Sequence, residues 1–156
     1  MEKQDYNCVI NANVSAREAF DAISNVSKWW TENLEGASQK AGDIFIVTFG
    51  ETFVTFKVTE AKPGKKMVWQ VLDCYLHWLN NKTEWTGTQM VFDITAETNS
   101  TRIEVTHVGL APEVECYESC VKGWDFYLKQ SLFKLLTEKK GLPEKIKTSV
   151  VEATNS

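Results

Sequence analysis

The stretch from Pro112 to Lys140 cannot stand alone in water. Tyr117, Val121, Trp124, Leu128, Leu132 and Leu135 recur three or four residues apart, so they share one stripe of a helix. Pro112 suits the first turn, and Glu113, Glu115 and Glu118 crowd the end where the helix dipole favours negative charge. Lys134, Lys139 and Lys140 gather at the other end, where Gly141 can close the helix and Pro143 prevents its resumption. Such a helix would be about 40 Å long. The chain upstream must cover its apolar stripe, and most of that chain reads as strands.

Tyr6 to Ala12 alternates apolar and polar residues as a first strand would. Ser15 with Glu18 three residues later makes a capping box, which opens a short helix carrying Ala16, Ala19, Phe20 and Ile23. Ser24 and Asn25 break it, and Ser27 is placed to cap a second turn carrying Trp29 and Trp30. Neighbouring helical residues point about 100° apart. One of these rings therefore enters the interior, while the other packs under a loop or lines a pocket mouth.

Thr31 to Gly42 is a polar connection with room for a short edge strand. Ile44 to Phe49 and Thr52 to Ala61 read as a hairpin about Gly50-Glu51. Lys62-Pro63-Gly64-Lys65 is a turn, and Lys66 to Asp73 the next strand. Cys74 to Lys82 is irregular, yet Tyr75, Leu76, Trp78 and Leu79 are too apolar for a free loop. Asn80-Asn81-Lys82 is the expected turn. Glu84 to Glu97 reads as one long strand and Thr101 to Val108 as its return, with His107 on the face of Ile103 and Val105. The order predicts an α+β chain: a curved antiparallel sheet of six or seven strands wrapped around the long C-terminal helix, with two short helices after strand 1. One domain over residues 1–156 is expected, with its core at about 5–145 and a polar tail after Ile146.

Composition narrows the function classes. The 156 residues carry 17 Lys and Arg against 21 Asp and Glu, a net charge of -4 without a basic cluster, so nucleic acid is not an expected partner. No apolar run is long enough for a membrane span. Met1 reads as a native start, and the polar residues after it lack an apolar signal segment, which predicts a cytoplasmic protein. Four matches to the glycosylation pattern then read as chance.

No nucleotide loop, zinc-protease or hydrolase motif is present, and no metal or cofactor is expected. Of the two histidines, His77 lies in the irregular segment as a surface or lid residue. His107 reads as a core or cavity histidine held by one hydrogen bond, with ligand orientation or base catalysis as the sharper alternatives. Cys116 and Cys120, four apart on the helix, could supply half of a metal site. Two small buried hydrophobes are the favoured reading, and an intrahelical disulfide is disfavoured because both side chains lean the same way. Gly123 interrupts the helix at a cost of about 1 kcal/mol against Ala. Either a close backbone contact or space left for a ligand would explain it. Tyr127, four residues on, shares its face.

The Ser15–Phe20 helix, Trp29-Trp30, the strand ending Thr106-His107-Val108-Gly109-Leu110 and the helix motif Gly123–Leu132 together resemble the START-like, helix-grip superfamily. The likeness is to the group similar to the C-terminal domain of the activator of the Hsp90 ATPase. It extends over about residues 5–145. It implies a cavity between sheet and C-terminal helix, since relatives bind lipids, sterols, polyketides and other apolar molecules, and a few catalyse reactions such as cyclisation. It does not by itself import Hsp90 binding, because the separate Hsp90-binding domain of the full activator has no counterpart in this sequence. The expected function is binding of a small apolar or amphipathic organic ligand. Candidate lining residues are Trp30, Phe45, Phe56, Trp69, Trp78, Phe92, His107, Cys120, Gly123, Trp124 and Tyr127. The alternatives are a small cyclase- or hydrolase-type enzyme using a polar group such as His107, or a co-chaperone-like interaction domain. A homodimer through a sheet edge or the helix is compatible with all three.

Overall fold

The computed structural model describes residues 5–77, 79, 80, 82–110 and 117–143. Strand β1 (Tyr6–Ala12) leads into helices α1 (Ala16–Ser24) and α2 (Val26–Trp29). Then come β2 (Leu34–Gly36), β3 (Ile44–Phe49), β4 (Thr52–Lys62), β5 (Lys66–Tyr75), β6 (Gln89–Ala96) and β7 (Thr101–Val108). The C-terminal helix comprises α3 (Tyr117–Trp124), a π-helical segment (Asp125–Leu132) and α4 (Phe133–Glu138). All seven strands form one antiparallel sheet in the order β1-β7-β6-β5-β4-β3-β2. This is the α+β helix-grip arrangement, with the helix held against the inner face of the sheet. No helix among the described residues is long and apolar enough to cross a membrane.

The alternation of the sequence places the core. Tyr6, Cys8 and Ile10 on β1, Ile103, Val105 and His107 on β7, and Met90 and Phe92 on β6 all turn inward. They meet Trp124, Leu128, Leu132 and Leu136 of the helix, all buried. The capping box forms as expected: Glu18 N–H donates to Ser15 Oγ at 3.0 Å, and Ser15 N–H to Glu18 Oε1 at 2.9 Å. The second short helix instead starts after Asn25, with no side-chain cap from Ser27 or any other residue.

Two bulges bend the centre of the sheet. Thr55 faces Asp73 while Phe56 faces Val71, so Leu72 is an extra residue on β5. Val58 faces Trp69 while Glu60 faces Val68, so Thr59 is an extra residue on β4. A bulge increases local twist and re-aims the side chains beyond it. Leu72 and Asp73 are both exposed in consequence, and Cys74 and Leu76 return to the interior. The strand therefore continues to Tyr75, two residues past the predicted end.

The predicted strand from Glu84 to Glu97 is shorter than expected. Residues 82–87 make turns tied back to β5, with Val71 N–H donating to Thr88 O and Gly87 N–H to Val71 O, both at 2.9 Å. The helix also differs from a uniform α-helix. Four residues of α-helix advance about 400°, so a step of four drifts roughly 40° and three such steps about 120°. Trp124, Leu128, Leu132 and Leu136 nevertheless stay buried together, because the wider π turns absorb the drift. Leu136, not Leu135, completes the buried stripe. Lys139, at φ 65°, takes the left-handed closing position that the sequence suggested for Gly141. Gly141 is needed for another reason: a Cβ there would run into the carbonyl oxygen of Lys28. Pro112, Glu113, Glu115, Cys116, Trp78, Asn81 and the tail after Ile146 lie outside the described residues.

Candidate functional site

A cleft of about 270 Å³ lies between the β3–β4 hairpin and the first half of the C-terminal helix. The hairpin pairs Phe49 with Thr52, and both line the cleft with Val54, which shares their face. Leu76, turned inward beyond the β5 bulge, and Trp85, from the turns after it, extend this wall. The helix contributes Ser119, Cys120, Gly123, Trp124 and Tyr127, and Trp30 enters from the end of α2.

The walls are largely aromatic. Trp85 stacks on Trp124 with centroids 5.8 Å apart and 12° between planes. Trp30 lies 4.8 Å from Trp124 and stacks on Trp69 behind it. Phe49 and Tyr127, both half-buried, contact each other in the wall with centroids 6.2 Å apart. No charged side chain is among the described lining residues.

Gly123 is explained by this geometry. Among the described residues a Cβ built on it would meet nothing within 4 Å, so none of them requires glycine there by close backbone contact. The missing side chain leaves space that belongs to the cleft. Cys120 is disulfide-bonded, which corrects its reading as a free small hydrophobe and removes it as a thiolate metal ligand. Among the described residues Cys8 and Cys74 are free and buried. Burial pushes the Cys8 thiol up, away from reactivity. Beside it the Tyr6 hydroxyl donates to Asp125 Oδ1 at 2.8 Å, tying β1 to the start of the π segment, and burial raises the Tyr6 phenol as well. Among the described residues no cluster of three His, Cys, Asp or Glu could hold a metal ion.

His107 does not line the cleft; it sits one layer behind. Trp124 Nε1–H donates to His107 Nδ1 at 3.1 Å, and an indole nitrogen can only donate. Nδ1 is therefore the acceptor, and the proton of the neutral ring sits on Nε2, which contacts Thr88 Oγ1 at 2.8 Å. Thr88 passes its own hydroxyl proton to the Trp85 carbonyl at 2.7 Å. This relay fixes the Trp124 indole and the main chain of Trp85, whose own ring packs on both His107 and Trp124. Burial lowers the His107 pKa to about 3, and both ring nitrogens are committed. The residue positions the wall, which fits neither a general base nor a ligand-orienting group.

Of the other expected lining residues, Trp30, Cys120, Gly123, Trp124 and Tyr127 come together at the cleft. Phe45, Phe56, Trp69 and Phe92 instead pack on one another, with ring centroids 4.8–5.4 Å apart, and form the core beneath it. The buried Trp69 indole nitrogen has no acceptor among the described residues. That costs roughly 1–3 kcal/mol, set against these ring contacts. Trp78 lies outside the described residues. His77 is on the surface, 3.5 Å from Glu51. Phe49, Thr52, Val54, Leu76, Trp85 and Ser119 also line the cleft and are not among the residues the sequence pointed to. Trp85 falls in the turns before β6, for which Gly87 and the polar residues around it are the signal.

A curved sheet gripping a C-terminal helix, with a cleft between them, defines the START-like helix-grip class. The comparisons with solved proteins agree. The chain is similar to the Aha1 dimer from Colwellia psychrerythraea, known from a solution structure: 26% identity, 90% of this chain and 100% of that one covered, TM-score 0.72. It also shares its fold with protein MLL2253 from Mesorhizobium loti, at 13% identity, 88% and 100% coverage and TM-score 0.67. DynU16, a putative protein in the dynemicin biosynthetic locus, matches at 17% identity, 86% and 48% coverage and TM-score 0.64. No family model and no curated protein matches the chain.

Proposed function

We propose that the protein binds a small, uncharged, apolar organic molecule in the cleft between the β3–β4 hairpin and the C-terminal helix. The observation that carries this reading is Gly123. A helix-interior glycine costs about 1 kcal/mol against Ala, no neighbour among the described residues requires it, and the volume it vacates opens onto the cleft. Burying about 300 Å² of apolar ligand surface would contribute roughly 7 kcal/mol before association costs, so affinity at best in the micromolar range is expected. An enzymatic role is less well supported, because His107 is consumed by the wall and no charged group among the described residues faces the cleft.

The test is Gly123→Leu. Its side chain occupies the cleft, while helix propensity holds the melting temperature at or above that of the parent. Equilibrium dialysis with two neutral probes, naphthalene and 1-nonanol, should show at least a tenfold loss of affinity. Unchanged probe binding by a folded variant would overturn the reading.

A second reading, homodimerisation, is favoured by the likeness to the Aha1 dimer. Phe126 and Phe133, 37% and 38% exposed on the outer side of the helix, are the apolar groups there that such contact would cover. Light scattering at micromolar concentration should then give the mass of two chains. A single-chain mass across the accessible concentrations would exclude it.

A further inference from the structure

We infer that the occupant of the cleft is a flat, neutral molecule of about two fused aromatic rings, carrying one hydrogen-bond acceptor that meets the hydroxyl of Thr52. This inference rests on the proposed ligand-binding reading and specifies its ligand class.

Size comes first. An apolar protein cavity of about 150 Å³ accommodates one benzene ring. The 270 Å³ here corresponds to roughly two rings by the same scale. A sterol or a long acyl chain would exceed that volume and leave part of its apolar surface in water.

Shape follows from the walls. Trp85 and Trp124 stack on each other, Trp30 leans against Trp124 at 43°, and Phe49 and Tyr127 lie side by side in the wall, each presenting its remaining ring surface to the cleft. Aromatic rings prefer offset-stacked or edge-to-face neighbours, which these surfaces offer to another planar ring. The His107 relay holds the Trp124 indole and the Trp85 carbonyl, and the Trp85 ring packs on His107 and Trp124, before any ligand arrives, so little ordering is left to oppose binding. A flexible aliphatic chain of equal size would lose rotamer freedom in the same space and gain no ring contacts.

Charge and polarity complete the class. With no charged side chain among the described lining residues, an ionised ligand would lose its hydration without a partner. Thr52 is 8% exposed, and its Oγ1 accepts from the backbone N–H of His77 at 3.0 Å. A hydroxyl also has one proton to give. No acceptor for that proton exists among the described residues, so a ligand acceptor in the cleft would satisfy it.

Equilibrium dialysis of the full chain at neutral pH tests this with four probes of similar size: quinoline, naphthalene, 1-nonanol and 2-naphthoate. Quinoline supplies a ring acceptor, naphthalene the rings alone, nonanol a flexible chain and naphthoate a charge. We expect quinoline to bind about fivefold tighter than naphthalene, naphthalene about tenfold tighter than nonanol, and naphthoate not measurably. Thr52→Val should abolish the quinoline advantage over naphthalene, and Thr52→Ser, which keeps the hydroxyl, should preserve it. Nonanol binding as tightly as the aromatics, naphthoate binding as tightly as naphthalene, or a quinoline advantage that survives Thr52→Val would overturn this ligand class while leaving the ligand-binding reading in place. Failure of all four probes to bind would overturn the underlying reading itself.

Discussion

Urea unfolding should show the protein losing about 2 kcal/mol of stability between pH 7 and pH 5, and a His107→Gln variant should not show that loss. The sign follows from the buried ring. Its folded pKa, about 3, lies below the ordinary value of 6.5, so as pH falls through 6.5 the unfolded chain takes up a proton that the folded chain refuses. Stability is thus complete above about pH 6.5 and is lost progressively down to about pH 3. The whole window amounts to on the order of 5 kcal/mol at 1.36 kcal/mol per pH unit. Protonation at Nδ1 would also set a donor against the Trp124 N–H and break the relay. The carboxylates of Glu18, Asp43 and Glu60 are held below their usual range, chiefly by hydrogen bonds from Ser15, Lys40 and Lys62 respectively. Their contributions are lost as pH falls below the ordinary carboxylate range, so the interval above pH 5 isolates the histidine. His107→Gln keeps an amide that can accept from Trp124 and donate to Thr88. His107→Leu orphans both partners and should cost about 3 kcal/mol at neutral pH. An unchanged slope in the Gln variant would remove His107 as its source.

That histidine also marks how far the sequence could be read. Period-two alternation located β1, β3 and β7 residue for residue and put His107 on the inner face, because those strands pair without interruption. Alternation fails where one residue is inserted. The bulge at Leu72 changes the parity of β5, and no local propensity distinguishes that extra residue from its neighbours. What lies beyond it, Leu76 in the cleft wall and Trp85 opposite Trp124, was correspondingly illegible. The inward ring set was visible as a set but not as two layers. Trp30, Trp124 and Tyr127 reach the cleft, while Phe45, Phe56, Trp69 and Phe92 sit beneath it, a distinction that depends on sheet curvature. The role of Gly123 was readable as an unexplained cost in a helix. Which of its two explanations held required the empty space beside it.

Replacing Ser131 by Ala should destabilise the fold by roughly 2–4 kcal/mol, a large effect for one hydroxyl. Ser131 lies in the π segment, fully buried, where it is flanked by the buried stripe residue Leu132. Its Oγ donates to the Trp29 carbonyl at 2.6 Å and accepts from Leu142 N–H at 2.7 Å. One atom thus ties the carbonyl end of α2 to the first residues after the helix, and Gly141 lets the chain pass against Lys28 between them. Alanine would leave the Trp29 carbonyl and the Leu142 N–H without their shared partner. Thr137→Ala supplies the control: that hydroxyl bonds the Phe133 carbonyl at 2.9 Å, but on an exposed helix face, and its loss should change stability by less than about 0.5 kcal/mol. The clamp bears on the cleft as well, because Trp30 follows Trp29 directly and stands in the wall against Trp124. Releasing α2 frees that ring, so Ser131→Ala should weaken naphthalene binding several-fold under conditions where the variant is still folded. Equal stability losses in the two variants would show that the hydroxyl is not a clamp. A loss confined to stability, with naphthalene affinity intact, would show that α2 does not transmit its position to the cleft.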